Sequence, residues 1–261
     1  MLRFKSLGSG STGNATLIEA GGPPAFRLLV DCGLGIRQLS VRLAEAGLAD
    51  GDIDAIFITH EHSDHIGCAR QFARRHGVPV WMSMGTYAAL DQPDFEGWLR
   101  VAQDGVAIDL GGLQLTPFTV PHDAREPLQL TCTDGAAKLG ILTDLGHATA
   151  HVLGHLQLCD ALVLESNHDC EMLEASSYPF FLKKRVGGPF GHLSNDAAAQ
   201  ILQAVCHGGL KHLVAAHLSQ QNNRPALAQN LLSQALGCGR DDIVVADAST
   251  GTRWLALQRQ F

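Results

Sequence analysis

Six consecutive residues restrict this chain more than any other feature. Within His60-Glu61-His62-Ser63-Asp64-His65, three histidines and an aspartate follow an apolar run, Ile53–Thr59, and precede a helical pattern. An exposed polar loop has no use for such a concentration. Imidazole and carboxylate together suit zinc, manganese or iron. Side chains two apart in an extended stretch point the same way, so His60 and His62 can grip one ion. Asp64 and His65 fall at the turn into the helix, within reach of a second ion. A fold that uses these groups must hold them on a rigid element.

The remaining pattern is strand-rich with interleaved helices. Strands are expected over 2–7, 15–20, 27–33, 53–59, 78–81, 105–120, 127–133, 138–143, 160–165, 212–216, 243–247 and 253–257. Helices are expected over 36–47, 66–76, 85–91, 147–158, 195–206 and 225–236. The Gly/Ser-rich run Gly8–Asn14 is a hairpin connection or a loop that lets substrate approach closely. Simple strand–helix alternation is too sparse for a doubly wound sheet. The order predicts an α/β (α+β) fold, two mixed sheets with helices outside, a four-layer αββα sandwich. No linker or low-complexity segment interrupts it, so one domain over 1–261 is expected, and a unit of this size buries enough surface to need no staples.

Composition excludes several classes. With 46% hydrophobic and 17% charged residues the chain is not intrinsically disordered. No apolar run approaches a membrane span. The opening Met1-Leu2-Arg3-Phe4-Lys5 lacks the apolar stretch of a secretory leader, so a cytoplasmic protein is expected. The seven cysteines are scattered without a CxxC pair, which argues against a thiolate zinc site and for reduced, mostly buried thiols. A net charge of −7 argues against a protein that coats nucleic acid. It leaves a nuclease open, because bound cations supply positive charge at the site itself.

The HxHxDH pattern of His60–His65 resembles that of the metallo-β-lactamase superfamily, and the likeness extends over nearly the whole chain. It implies an αββα sandwich with metals at the edge between the sheets. It also implies ligands further along, each just after an apolar run: His122 in Val120-Pro121-His122-Asp123, Asp144 in Leu142-Thr143-Asp144, and His217 in Ala215-Ala216-His217. The implied set is His60, His62 and His122 for one ion, Asp64, His65 and His217 for the other, with Asp144 bridging. No cysteine takes a ligand position, as in the dinuclear hydrolases of the superfamily. Two divalent ions, zinc or manganese with iron also accepted, would share a hydroxide that attacks phosphorus or a carbonyl carbon. Asp64 would also orient that nucleophile.

Three further segments, Glu165–Asp169, Gly191–Asn195 and His217–Asn223, together with the opening Ser/Gly run, resemble the YycJ/WalJ group of small metallo-hydrolases, described as exonuclease-like. That likeness implies phosphodiester cleavage and a nucleic-acid substrate, with neither a membrane nor an obligate protein partner. His192 and His168 are candidates for proton donation or phosphate contact; both also fit structural roles. Ser194 and Asn195, at a helix start, and Asn222 and Asn223 are candidate substrate contacts, or simply a cap and a turn. Lys183, Lys184 and Arg185, set between Tyr178–Phe181 and Gly187–Phe190, are read as a loop: one that stacks bases and attracts phosphate, or one that is merely solvated. The alternative activity is a small-molecule metallo-hydrolase acting on a cyclic phosphodiester, a lactone or a thioester. A non-catalytic metal scaffold would have lost at least one ligand, and a redox di-iron enzyme would carry a flavin or partner domain.

Overall fold

The structure is a computed structural model that describes residues 1–22 and 24–257. Residues 258–261, the end of the expected single domain, lie outside the described residues. The strands are β1 (Leu2–Gly8), β2 (Ala15–Ala20), β3 (Phe26–Val30), β4 (Ala55–Phe57), β5 (Val80–Met82), β6 (Leu99–Val101), β7 (Ile108–Asp109), β8 (Gln114–Thr119), β9 (Leu128–Thr133), β10 (Lys138–Leu142), β11 (Ala161–Glu165), β12 (His212–Ala216), β13 (Ile243–Val245) and β14 (Leu255–Leu257). The helices are α1 (Ile36–Glu45), α2 (Ser63–Ile66), α3 (Ala69–His76), α4 (Met84–Ala89), α5 (Ala150–Leu156), α6 (Cys170–Ala175), α7 (Phe180–Val186), α8 (Asn195–Val205) and α9 (Pro225–Leu236).

The strands form two seven-stranded sheets, ordered β14-β1-β2-β3-β4-β5-β6 and β13-β12-β11-β10-β9-β8-β7. Each sheet is antiparallel in one half and parallel in the other, with the change at β3 in the first and at β10 in the second. Alternation along the strands makes the layers. Leu28, Val30, Ala55 and Phe57 face the space between the sheets, where Ala161, Val163, Val214 and Ala216 meet them. Their neighbours Leu29 and Ile56 face outward, onto α1 and α3 through Leu39, Leu43 and Phe72. On the other side Leu162, Leu164, Leu213 and Ala215 face α5, α8 and α9. Three apolar layers between four layers of structure make the expected αββα sandwich.

Local rules explain several ends. Ser194 Oγ caps α8 by accepting from Ala197 N at 3.1 Å. Pro225 opens α9, and Gly237 closes it at φ 68°. Differences from the expected elements have physical causes. The expected helix 66–76 is two helices, α2 and α3, broken at Gly67 with φ 32°. The strand expected at 105–120 is the hairpin β7–β8. Two short helices, α6 and α7, escape the sequence pattern because neither is long enough to show a periodic apolar face.

Phe57 is fully buried between the sheets. Phe57→Ala is expected to lower the unfolding free energy by about 3–5 kcal/mol, seen as a lower urea midpoint at an unchanged denaturant slope.

Candidate metal centre and cleft

The strand pattern delivers the polar groups to one place. Asp31, His60, His122, Asp144, Glu165 and His217 stand at or just beyond the carboxyl ends of β3, β4, β8, β10, β11 and β12. Three of them leave the strand in the left-handed region, Asp31 at φ 60°, Asp144 at φ 56° and His217 at φ 55°. That conformation costs about 1–3 kcal/mol in a residue other than glycine, and it collects at functional sites. Backbone packing is tight as well. A Cβ on Gly33 would lie 1.7 Å from the Asp64 carbonyl oxygen, so only glycine lets the loop after β3 press against α2.

Two groups of donors result. In the first, His60 Nε2 lies 3.0 Å from His62 Nδ1, which lies 3.4 Å from His122 Nε2. Each buried ring is anchored by its far nitrogen. His60 Nδ1 meets Thr59 Oγ1 at 3.0 Å, and His122 Nδ1 donates to the Gly191 carbonyl at 3.1 Å. Burial pushes His60 well below the ordinary imidazole value, with the His65 charge adding to it, and burial lowers His122 too. Three imidazole nitrogens thus converge, the two buried ones as neutral rings.

The second group holds the carboxylates. His65 Nδ1 lies 2.8 Å from Asp31 Oδ2, and Asp31 is itself held by the Thr59 backbone N–H and hydroxyl at 2.9 and 3.0 Å. This leaves His65 Nε2 facing Asp144 Oδ2 at 3.0 Å and Asp64 Oδ2 at 3.6 Å. His217 Nδ1 sits 3.1 Å from Glu165 Oε1 and 3.2 Å from Asp144 Oδ1, and its Nε2 faces Asp64 Oδ2 at 3.6 Å. Neither Asp144 Oδ2 nor His217 Nε2 makes an aligned hydrogen bond, although both are buried. Buried polar atoms left that way are costly unless a ligand completes them.

Charge follows the same division. Burial alone would raise Asp144, but the charges of His217 and His65 and its contacts with His192 and His65 hold it well below the usual carboxylate range. Glu165 is likewise pulled against its burial to about 2, by His192 and by His217. Burial would lower His217, yet Asp144, with Asp64 and Glu165, pushes it up to about 9. Burial would lower His192 as well, but Glu165 and Asp144 outweigh it and push it up to about 11. His192 Nδ1 meets Glu165 Oε1 at 2.8 Å. The carboxylates demand positive charge, and ring protons supply it where a divalent cation can. The donor set fits such cations: oxygen and nitrogen only, within 4.8 Å of one another in each group, His60/His62/His122, Asp64/His65/His217 and His60/His65/Asp144.

Of these donors His62, Asp64, Asp144 and His217 line a cleft of about 360 Å³, with the buried His60, His65 and His122 beneath them. Its walls include Ser11, Asp123, Tyr178, Arg185, His192 and Asn222. Asn222 is 1% exposed, and neither end of its side-chain amide has a partner. Other sequence candidates stand elsewhere. Asn195 and Asn223 are buried and bond to each other at 3.0 and 2.9 Å, a brace behind the cleft rather than part of its wall. Ser194 is spent on its helix cap. His168 is buried beside Gly187 and does not line the cleft. Lys183, Lys184 and Arg185 lie on helix α7, not on a loop, because Pro179 starts a helical turn there. Only Arg185 of the three reaches the cleft, where its Nε meets Asp123 Oδ2 at 2.6 Å. Asp31, Thr59 and Asp123 escaped the sequence reading. Asp31 ends an apolar strand just as Asp144 does, and that position was its one available signal.

Residues 26–218 match the model of the beta-lactamase superfamily domain. The chain belongs to that superfamily. It is 35% identical over 240 residues to the exodeoxyribonuclease YycJ of Bacillus anthracis, covering 90% of this chain and 89% of that one. It is 34% identical over 260 residues to the exodeoxyribonuclease WalJ of Streptococcus pneumoniae, covering 96% and 95%. Among solved structures, the metallo-beta-lactamase fold protein YhfI of Bacillus subtilis superposes with a TM-score of 0.74 at 17% identity, over 97% of this chain and 98% of that one. Zn(2+)-bound PqqB of Methylobacterium extorquens gives 0.72 at 17% identity, over 98% and 100%. At such identities the structural likeness is one of fold.

Asp31 reaches the candidate metal centre through His65 directly and through the Thr59 hydroxyl to His60. Asp31→Asn is expected to weaken divalent-metal binding about 10–100-fold, measured by competition with a chromogenic chelator, while circular dichroism stays unchanged. Undiminished affinity would deny Asp31 that role.

Proposed function

We propose that this chain is an exodeoxyribonuclease that hydrolyses phosphodiester bonds at a DNA end with two divalent ions. One observation carries the reading: seven nitrogen and oxygen donor side chains converge at one cleft of a chain 34–35% identical, over at least nine-tenths of its length, to relatives named exodeoxyribonucleases. His60, His62 and His122 would hold one ion, and Asp64, His65 and His217 the other, with Asp144 shared. Zinc or manganese suits these donors. Such ions supply an activated water and neutralise charge on the phosphate oxygens.

The chain's own residues do the rest. Asp31 and Glu165 fix the His65 and His217 rings by accepting at Nδ1, so that each ring presents Nε2 to the centre. Asp64, adjacent to both Nε2 atoms, orients the attacking group. His192, tied to Glu165 through Nδ1, presents its other ring nitrogen to the cleft and donates a proton to the leaving oxygen. The unpartnered Asn222 amide offers a donor and an acceptor to the nucleotide being removed. Arg185, drawn from Asp123, meets a phosphate oxygen. Both sheets contribute ligands around one apolar core, so we take residues 1–261 as one functional unit. Its compartment is the cytoplasm: a DNA substrate and seven unpaired cysteines fit a reducing interior, and among the described residues no helix is long and apolar enough to cross a membrane.

Purified protein given end-labelled DNA with Mn²⁺ or Zn²⁺ is expected to release nucleotides progressively from one end. Chelator and Asp144→Ala should each abolish the release, with metal content reduced in the variant. Hydrolysis of only small phosphodiesters or esters by metal-loaded protein would overturn the DNA reading.

Two substitutions separate the cleft's roles. His192→Ala is expected to lower kcat, and Asn222→Ala to raise KM for DNA about tenfold, the loss of roughly one hydrogen bond to a charged group. Metal content, measured by inductively coupled plasma emission, should match the parent in both.

A further inference from the structure

The outer wall of the cleft carries a feature the metal centre does not use. Helix α7 is two-sided. Leu182, Arg185 and Val186 face the cleft, and Tyr178 just before the helix lines it too. The opposite side presents Phe180 and Phe181, each 72% exposed, with Lys184 Nζ 4.8 Å from the Phe180 ring centroid. Phe190, 56% exposed, follows on the turn that returns the chain to Gly191 and His192 at the cleft. Among the described residues these three are the only exposed phenylalanine, tyrosine or tryptophan rings. Burying a phenylalanine ring rather than exposing it is worth about 1.5–3 kcal/mol, so three open rings in eleven residues are an expensive arrangement for a bare surface.

The charge is equally local. Lys183, Lys184 and Arg185 are three successive cations in a chain of net charge −7. Exposed rings beside ammonium and guanidinium groups match one class of ligand, an unpaired polynucleotide strand, whose bases stack on the open ring faces while its phosphates meet the cations. Paired bases have no free faces to offer. An apolar protein surface would use the rings but gives no reason for the cations.

We propose that the outer face of α7, with Phe180, Phe181, Lys183 and Lys184, and with Phe190 beyond it, is a stacking platform for the unpaired DNA strand behind the nucleotide being removed. The inference rests on the exodeoxyribonuclease reading and adds to it the form of the substrate. The strand end enters between Tyr178, Arg185 and Asn222 toward the metal centre, and the following bases cross the rim onto Phe181 and Phe180. Arg185 stands where the two surfaces meet, which places its phosphate contact at the turn of the strand.

The test compares the parent with Phe180→Ala/Phe181→Ala on three substrates: an end-labelled single-stranded 20-mer, a dinucleotide, and bis(p-nitrophenyl) phosphate. Both rings are exposed, so the variant is expected to keep the parent's unfolding midpoint. KM for the 20-mer should rise about tenfold or more, as the loss of base stacking on aromatic rings implies. The dinucleotide and the small diester, too short to reach the platform, should be hydrolysed as before. Parent-like KM on the 20-mer would overturn the platform while leaving the nuclease reading intact. Failure of the parent to cleave any oligonucleotide, with the small diester still hydrolysed, would overturn that reading and the platform with it. Equal losses on all three substrates would mean damage to the metal centre and would also overturn the proposal. So would a parent that sediments as a dimer beside a monomeric variant with unchanged DNA binding, which would make the face a contact between two copies.

Discussion

Asp144 is a carboxylate only 2% exposed, and a charge in that position costs several kcal/mol unless its surroundings compensate it. Here the compensation comes from imidazoles on three different elements, His65 from α2, His217 after β12 and His192 before α8. Asp144 therefore binds the two sheets electrostatically at the edge where they meet, and it stands within ligand distance of both donor groups. The same need for positive charge that raises His217 and His192 makes the position hospitable to a divalent cation. Stabilising the buried charge and building a metal centre are one physical requirement.

That requirement explains the strained backbone around it. Side chains on a strand point across the sheet, not along it. To turn a carboxylate or an imidazole over the sheet edge, the chain must leave the strand sharply. Asp31, Asp144 and His217 each do so at positive φ, and asparagine, aspartate and histidine tolerate that region better than most residues. The glycines behind them serve the same end. Gly33 brings the loop after β3 into backbone contact with α2, so the Asp31–His65 pair is held by packing as well as by its hydrogen bond.

Outside the centre, the cleft is asymmetric in chemistry. One wall is polar and rigid, with Asn222 and His192 anchored to buried elements. The other is a seven-residue helix, α7, anchored to the first by the Arg185–Asp123 ion pair. Leu182 and Val186 seat this helix at the cleft, while Phe180 and Phe181 are exposed away from it.

Strands such as Leu28–Val30 and Ala161–Leu164 were legible in the sequence as short continuous apolar runs, the mark of a strand covered on both faces, whereas which side chain faces which layer was not. The His60–His65 motif was legible from its own residues, and His122, Asp144 and His217, each just after an apolar run, through the resemblance that the motif carries. Other features were not legible because they depend on distance in space. Asp31 becomes a partner of His65 only after β3 pairs with β4. Asn195 and Asn223 are twenty-eight positions apart and read as substrate contacts until folding buries them against each other. The cations at 183–185 read as a loop because a helix of only seven residues leaves no clear periodic trace. Sequence alone determined which chemistry this chain can perform, since ligand types and strand ends are written locally. Tertiary structure decided which polar residues face the cleft, because burial and hydrogen-bond partners arise only when distant segments meet.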